Sequence, residues 1–293
     1  MNAAPGRAAW VALALAIPLG LSCMHAGGKP ANMRQLSLTP DSVTVALWHF
    51  DEAAGVRCGD AGPFRLDATA GPGTRVSYGR FGSAREFTRV IDSFVYAPDN
   101  PVFDPRGGLT VEAWVLVHAF GQYKDTPIAA RWTEEGSQQS WLFGIVGRKI
   151  MPPQARLVSP GYHETLVLSG QVGQLVFAFQ PEDASQQRAF VSTQPLPLER
   201  WTHVAVSYDG QVVRFFVDGM LDAQYATLGR IHASQAPLLV GNYFDSRRLS
   251  SFSGELRMEP GGDENPYYAF EGLIDDLRIS NAARTEFPET GGR

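Results

Sequence analysis

The sequence predicts an all-β protein, an antiparallel sandwich of two sheets. Short runs alternate apolar and polar residues with a period of two, as strands buried on one face require. Two Asp-Gly dipeptides, Asp209-Gly210 and Asp218-Gly219, divide one continuous stretch into hairpins. The 30 glycines and 20 prolines interrupt the chain too often for long helices, and capped helical periodicity is essentially absent.

Taken in order, the first strand is read in residues 43–50 (VTVALWHF), closed by Asp51-Glu52-Ala53-Ala54-Gly55. A glycine-rich loop follows over 59–73, then short strands near 85–87 and 93–96. Residues 109–120 (LTVEAWVLVHAF) form the longest extended run. Leu109, Val111, Ala113, Val115 and Val117 share one face, with Thr110, Glu112, Trp114, Leu116 and His118 on the other. Further strands are expected at 126–132, 140–146, 164–168 and 175–179. The stretch 201–226 reads as a three-stranded meander, because Asp-Gly tolerates the positive φ of tight turns. Residues 238–241 and 270–280 complete the set, followed by a turn at 281–284. Many short strands bounded by turns make a two-sheet sandwich or jelly roll.

Composition bounds the function. With 44% hydrophobic and 19% charged residues in 293, the chain is globular, which excludes disorder, collagen and coiled coil. A net charge of −5 lacks the basic excess that a polyanion surface needs, so nucleic acid is excluded as a partner. Residues 1–23 read as a signal peptide: Arg7 precedes the apolar run AAWVALALAIPLGL, which is shorter than the roughly 20 residues of a membrane span. Leu19-Gly20-Leu21-Ser22-Cys23 resembles a bacterial lipobox, with Gly20 where leucine is usual. The expected product is exported, either lipid-anchored through Cys23 on the cell envelope or secreted. Residues 24–41 then read as a flexible tether, 42–285 as the folded domain and 286–293 as a tail. Cys58 is expected to be a buried structural thiol.

Ordered motifs along the domain resemble the laminin-G-like, concanavalin-A-like jelly-roll domains of exported bacterial proteins. They are Leu47-Trp48-His49-Phe50-Asp51-Glu52, Asp60-Ala61-Gly62, Phe81-Gly82-Ser83-Ala84, Leu109-Thr110-Val111-Glu112-Ala113-Trp114-Val115 and Ser140-Trp141. Trp201-Thr202-His203-Val204-Ala205, Tyr208-Asp209-Gly210, Phe216-Val217-Asp218-Gly219, Leu239-Val240-Gly241 and Phe270-Glu271-Gly272-Leu273-Ile274-Asp275-Asp276-Leu277 continue the match. The resemblance covers roughly 43–285 and implies the fold. The fold hosts lectins, glycosidases, lyases and adhesive modules alike, so function must come from a site.

The resemblance also implies one structural calcium ion where the first loop meets the last strand, with Asp60, Asp67, Asp275 and Asp276 as oxygen ligands. The competing reading makes the first two turn caps and pairs the last two with arginines. No carboxylate pair stands at alternate positions on one strand, as the laminarinase-like relatives require, and no nucleophile elbow, zinc motif or phosphate loop is present. His118, Tyr162, His163 and His203 are the loose ingredients of a lyase, unlinked by any motif. Trp48, Trp114, Trp141 and Trp201 are read as core. Two long loops carry the candidate ligand residues: 148–164, with Tyr162, and 242–268, with Tyr243, Arg247, Arg248, Tyr267 and Tyr268. These point to a non-catalytic binding or adhesion module of the cell envelope, its partner a glycan or a surface protein. A polysaccharide hydrolase or lyase, or a structural envelope subunit, are the alternatives.

Overall fold

The computed structural model describes residues 37–122, 125–133, 139–148, 170–242, 249–252, 255–258 and 269–287, of which 249–252 and 255–258 are described by backbone alone. Strands run in order as β1 (Thr44–Trp48), β2 (Arg57–Cys58), β3 (Ala68–Ala70), β4 (Thr74–Tyr78), β5 (Ser83–Phe87), β6 (Val95–Ala97), β7 (Leu109–Ala119), β8 (Thr126–Arg131) and β9 (Trp141–Ile145). They continue as β10 (Gln174–Phe179), β11 (Arg188–Pro195), β12 (Trp201–Tyr208), β13 (Val212–Val217), β14 (Met220–Ala226), β15 (Leu238–Val240), β16 (Leu249–Phe252), β17 (Glu255–Met258) and β18 (Glu271–Ser280). One turn of 3-10 helix spans Pro101–Phe103.

Two antiparallel sheets form the sandwich. The first has the order β14-β13-β12-β7-β18-β5-β4, with β1 also on β18, and the second β11-β10-β9-β8-β15-β6-β3-β2. The strands β16 and β17 form a separate hairpin. Alternation on β7 turns Val111, Ala113, Val115 and Val117 inward, where they meet Phe143, Phe177, Phe179 and Trp141 of the facing sheet in one core. Each buried Val, Leu or Phe contributes about 1.5–3 kcal/mol. The strands β8, β9 and β10 are buried on both faces, because Ala130, Trp132, Leu142, Val146, Val176 and Ala178 form a second apolar cluster on the outer side of their sheet.

The meander 201–226 has the expected strands, and its two Asp-Gly turns differ. Asp218 (φ 51°) and Gly219 (φ 83°) form the two-residue connection between Val217 and Met220, as a tight hairpin with both φ positive demands. The Asp209-Gly210 turn is longer, and Asp209 Oδ1 accepts the Gln211 and Val212 N–H groups at 2.8 and 2.7 Å. Strands were missed where alternation is short or polar: β2, β3 and β4 fall in or beside the expected glycine-rich loop, and β11 is half-exposed. The strand expected at 164–168 lies outside the described residues.

The edge between β14 and β11 is closed by side chains. Asp222 Oδ2 accepts the Thr193 N–H, and the Tyr225 hydroxyl donates to Val191 O at 2.7 Å. Residues 37–41, read as the end of the tether, are docked onto the domain, and Phe287 of the expected tail packs on Phe216 and His203. The folded region therefore reaches beyond 42–285 at both ends. Trp48, Trp132 and Trp141 are fully buried, whereas Trp201 is only half-buried. Trp114 is buried but on the outer face of its sheet, under the Arg80 guanidinium, 4.8 Å from its ring.

Candidate functional site

The register places the ends of five strands toward one rim of the sandwich. Glu271, opening β18, pairs with Ala119 at the end of β7, and Thr126, opening β8, pairs with Ile145 at the end of β9. Val240, ending β15, pairs with Ala129 inside β8, and β15 runs toward that same end of β8, where the Gly241 N–H reaches Ile128 O. The chain excursions 149–169 and 243–268 both leave from this rim. The second leaves and returns at one point, since the Phe270 N–H donates to Gly241 O at 2.8 Å and the Gly241 N–H to Ile128 O at 3.0 Å.

The described part of the rim is tied down. Asn242 is 4% exposed, and its Nδ2 donates to Ser93 O and Ile91 O. Arg89 pairs with Glu271 and also donates to Phe120 O. Asp125 accepts the Gly147 N–H at 2.9 Å, and the Arg148 N–H donates to Gly121 O at 2.7 Å. Gly173, at φ 92°, lies against the Phe120 ring, where a β-carbon would come within 2.6 Å. The excursions thus spring from a rigid base. Tyr162, Tyr243, Arg247, Arg248, Tyr267 and Tyr268 lie outside the described residues, as do His163 and Cys23.

The four aspartates expected to hold calcium are placed as acceptors of N–H donors. Asp60 Oδ1 accepts Leu47 N–H and Gly62 N–H, and its Oδ2 accepts Leu66 N–H, at 2.7–2.8 Å. Asp67 accepts the Asp60 N–H on one oxygen and Arg57 on the other, and together these hold its carboxyl below the ordinary value. Asp276 accepts from Ser37 and Leu38, and from His49, whose pKa this bond raises. Asp275 Oδ2 accepts the Phe81 N–H at 2.9 Å, while its buried Oδ1 has no partner; burial pushes its carboxyl up to about 7. Asp60, Asp67 and Asp276 have both oxygens committed to N–H or O–H donors, which suits a carboxylate and not a shared cation. Among the described residues no group of three or more His, Cys, Asp or Glu side chains is arranged to hold a metal. The residues do not fit a calcium ion shared by all four.

The backbone explains why Asp275 and Asp276 are there. The ladder of β18 shifts register between Asp275 and Arg278, and Asp276 takes φ 48°. On one side β18 pairs with β5 up to Ile274 and with β1 from Leu277. The bulge lies at that exchange, and Asp276 joins the docked N-terminal residues to the last strand.

Beside it, on the outer face of the first sheet, Glu112 (0% exposed) accepts from Arg278 at 2.8 Å and contacts His203 Nε2 at 3.3 Å. Burial acts to raise Glu112, but His203 and Arg278 outweigh it and hold the carboxyl low. Arg278 also donates to Thr39 O, and Arg284 pairs with Asp41 at 2.7 Å. This network fastens Thr39, Asp41 and Arg284 across β7, β12 and β18. His203 is 2% exposed beneath Phe287, a poor position for reaching a substrate. His118 instead pairs with Glu199 at 2.9 Å, so the two histidines serve different partners. Cys58 is free and fully buried, and burial pushes its thiol up to about 11.

Among the described residues no helix is long and apolar enough to cross a membrane. A family model of the concanavalin A-like lectin/glucanase superfamily, the laminin-G type, matches residues 90–258, more than half of the chain. The chain belongs to that superfamily. No curated protein sequence matches it.

Among solved structures, the chain is similar to domain 4 of an extracellular arabinanase from Geobacillus stearothermophilus, solved in complex with arabinotriose. Identity is 18% and the TM-score 0.51, over 83% of this chain and 94% of that one. It is also similar to the binding domain of paraclostridial mosquitocidal protein 1 (10% identity, TM-score 0.53, covering 83% and 49%). The botulinum neurotoxin serotype G binding domain is comparable (10%, 0.53, 83% and 48%). The chain spans about half the length of these toxin domains. At such identities the likeness is one of fold.

Proposed function

We infer that this chain is a non-catalytic carbohydrate-binding module that uses the rim from which both long excursions leave. The observation that carries the reading is the convergence of those two departures on one hydrogen-bonded rim of a lectin-type sandwich. A rigid base with long loops is the usual arrangement for recognition, because the scaffold fixes where the loops start. The excursions supply Tyr162, Tyr243, Tyr267 and Tyr268 as apolar faces for sugar rings, and Arg247 and Arg248 as hydrogen-bond donors. The arabinanase domain solved with arabinotriose lends support from the same fold.

The finer reading is an exported module of the bacterial cell envelope, lipid-anchored through Cys23, that adheres to a glycan on another surface. The lipobox-like Leu19-Gly20-Leu21-Ser22-Cys23 supports the anchor. The test is retention of the chain in native gels cast with arabinan, xylan, β-glucan or polygalacturonate. Retention by at least one polysaccharide, lost in Tyr243→Ala or Tyr267→Ala, is expected. Release of reducing ends or unsaturated sugars would replace this reading with an enzymatic one.

A further inference from the structure

The opposite end of the sandwich holds a pocket of about 130 Å³ that the sequence did not signal. Its walls come from the segment entering β7 (Arg106, Gly108), the β12–β13 turn (Tyr208, Asp209) and the stretch after β14 (Gly229, Arg230). Tyr208 is 2% exposed, and its hydroxyl donates to Gly229 O at 2.6 Å, so the ring forms a fixed floor with no free polar group. Gly229 takes φ 129°, a conformation open to glycine, and this keeps that wall free of a side chain.

Charge around the pocket is unequally satisfied. Asp209 is already neutralised, with Arg214 at 2.8 Å on one oxygen and two backbone N–H groups on the other. Arg230 is 68% exposed on its side chain and is held by Glu182 only at 3.5 Å. Arg106 is exposed and has no carboxylate partner among the described residues. Behind Gly229, Arg188 Nη1 and Asp183 Oδ1 both lie 3.6 Å from where a β-carbon would stand. Arg106, without an ion-pair partner among the described residues, and Arg230, only loosely paired with Glu182, therefore both line the pocket, in a chain whose net charge is −5.

We propose that this pocket binds the acidic end of a saccharide, a sugar carboxylate or sulfate placed between Arg106 and Arg230 with its ring edge against Tyr208 and Gly229. The volume excludes an oligosaccharide, since pockets that enclose whole ligands usually run to about 300–1,000 Å³. It admits one charged group and part of the ring that bears it. Guanidinium forks favour planar or tetrahedral oxyanions through paired hydrogen bonds. The proposal rests on the glycan reading for its ligand class and uses a different end of the molecule.

The test is calorimetric titration of the whole chain with glucuronic acid, with glucose 6-sulfate, and with sodium sulfate as a bare anion. Either sugar is expected to bind more tightly than sulfate, and Arg106→Gln or Arg230→Gln to weaken it about ten-fold each. Neither substitution should move the melting temperature, because both side chains are exposed. Tyr267→Ala should leave this binding unchanged. Sugar binding unaffected by both arginine substitutions, no detectable binding, or sulfate binding as tightly as the sugars would each overturn the proposal. Acidic sugars bound without any neutral polysaccharide would leave this pocket standing and remove the rim reading. Neutral polysaccharide bound without acidic sugar would do the reverse.

Discussion

The two ends of the sandwich are built on different plans. At one, the chain makes two long departures from a base of backbone hydrogen bonds: Phe270 to Gly241, Gly241 to Ile128, Arg148 to Gly121. At the other, connections are shorter than these departures and side chains do the fastening. Arg131, fully buried, pairs with Asp99 and Asp104 and donates to Ser234 O and Ala236 O. Tyr208 closes on Gly229. Backbone bonds at the base of a loop survive changes in the loop, whereas a buried guanidinium cannot be altered without stranding its partners. Variation should therefore be tolerated at the first end and punished at the second.

Arg131→Met is the most severe test of that contrast. It removes the guanidinium from two carboxylates and two carbonyls, with only the Ser234 N–H left on Asp104, and should cost about 3–5 kcal/mol in urea unfolding. A loss below about 1 kcal/mol would mean that the short-loop end is not fastened by this residue.

The next effect sits between the ends, at the bulge of β18. Burial raises Asp275 from 3.8 to about 7, so between those values the folded protein keeps a proton that the unfolded chain has released. This contribution is complete below about pH 4 and gone above pH 7. The bond to Asp276 raises His49 and acts in the same direction, with its share lost as pH climbs past the histidine's folded value. Stability should fall by roughly 2–4 kcal/mol between pH 4.5 and 8. Asp275→Asn should flatten most of that slope in thermal melts. A wild-type chain more stable at pH 8 than at pH 5 would contradict the assignment. Below pH 4 the order reverses. Asp41 sits at about 2 because Arg284 and Thr44 outweigh its burial, and Glu112 is held low as well, so acid removes their contributions.

The smallest effect expected is that of calcium. Asp60, Asp67 and Asp276 have both oxygens engaged with protein donors. Melting with EDTA and with millimolar calcium should therefore agree within error. Stabilisation by calcium, lost in Asp60→Asn, would restore the ion.

Much of the fold was legible in the sequence, for a definite reason. β7, β12 and β13 are each covered on the core side by apolar residues at alternate positions, and Asp-Gly marks the turns on either side of β13. Where that signal is weak, elements were lost: β4 is half-exposed throughout, and β2 has two residues. The second apolar cluster on β8–β10 was also invisible, because continuous apolar runs carry no face information. The site was less legible than the fold. Asp60 and Asp276 stand out in the sequence as calcium ligands, whereas in the structure each gathers N–H or O–H donors from other segments of the chain. A sequence cannot show whether an aspartate's neighbours are a cation or N–H groups, since those N–H groups belong to other segments. Arg106 and Arg230 come to line one pocket only through folding, from positions far apart in the chain.

The central claim is that the long excursions recognise the ligand and the base beneath them does not need them. It is tested most directly by replacing residues 243–268 with a short Gly-Ser linker and measuring melting temperature and polysaccharide retention together. Gly241 and Phe270 already hold each other, so the trimmed chain should melt within a few degrees of the intact one and lose retention. A trimmed chain that melts normally and is still retained would contradict the account.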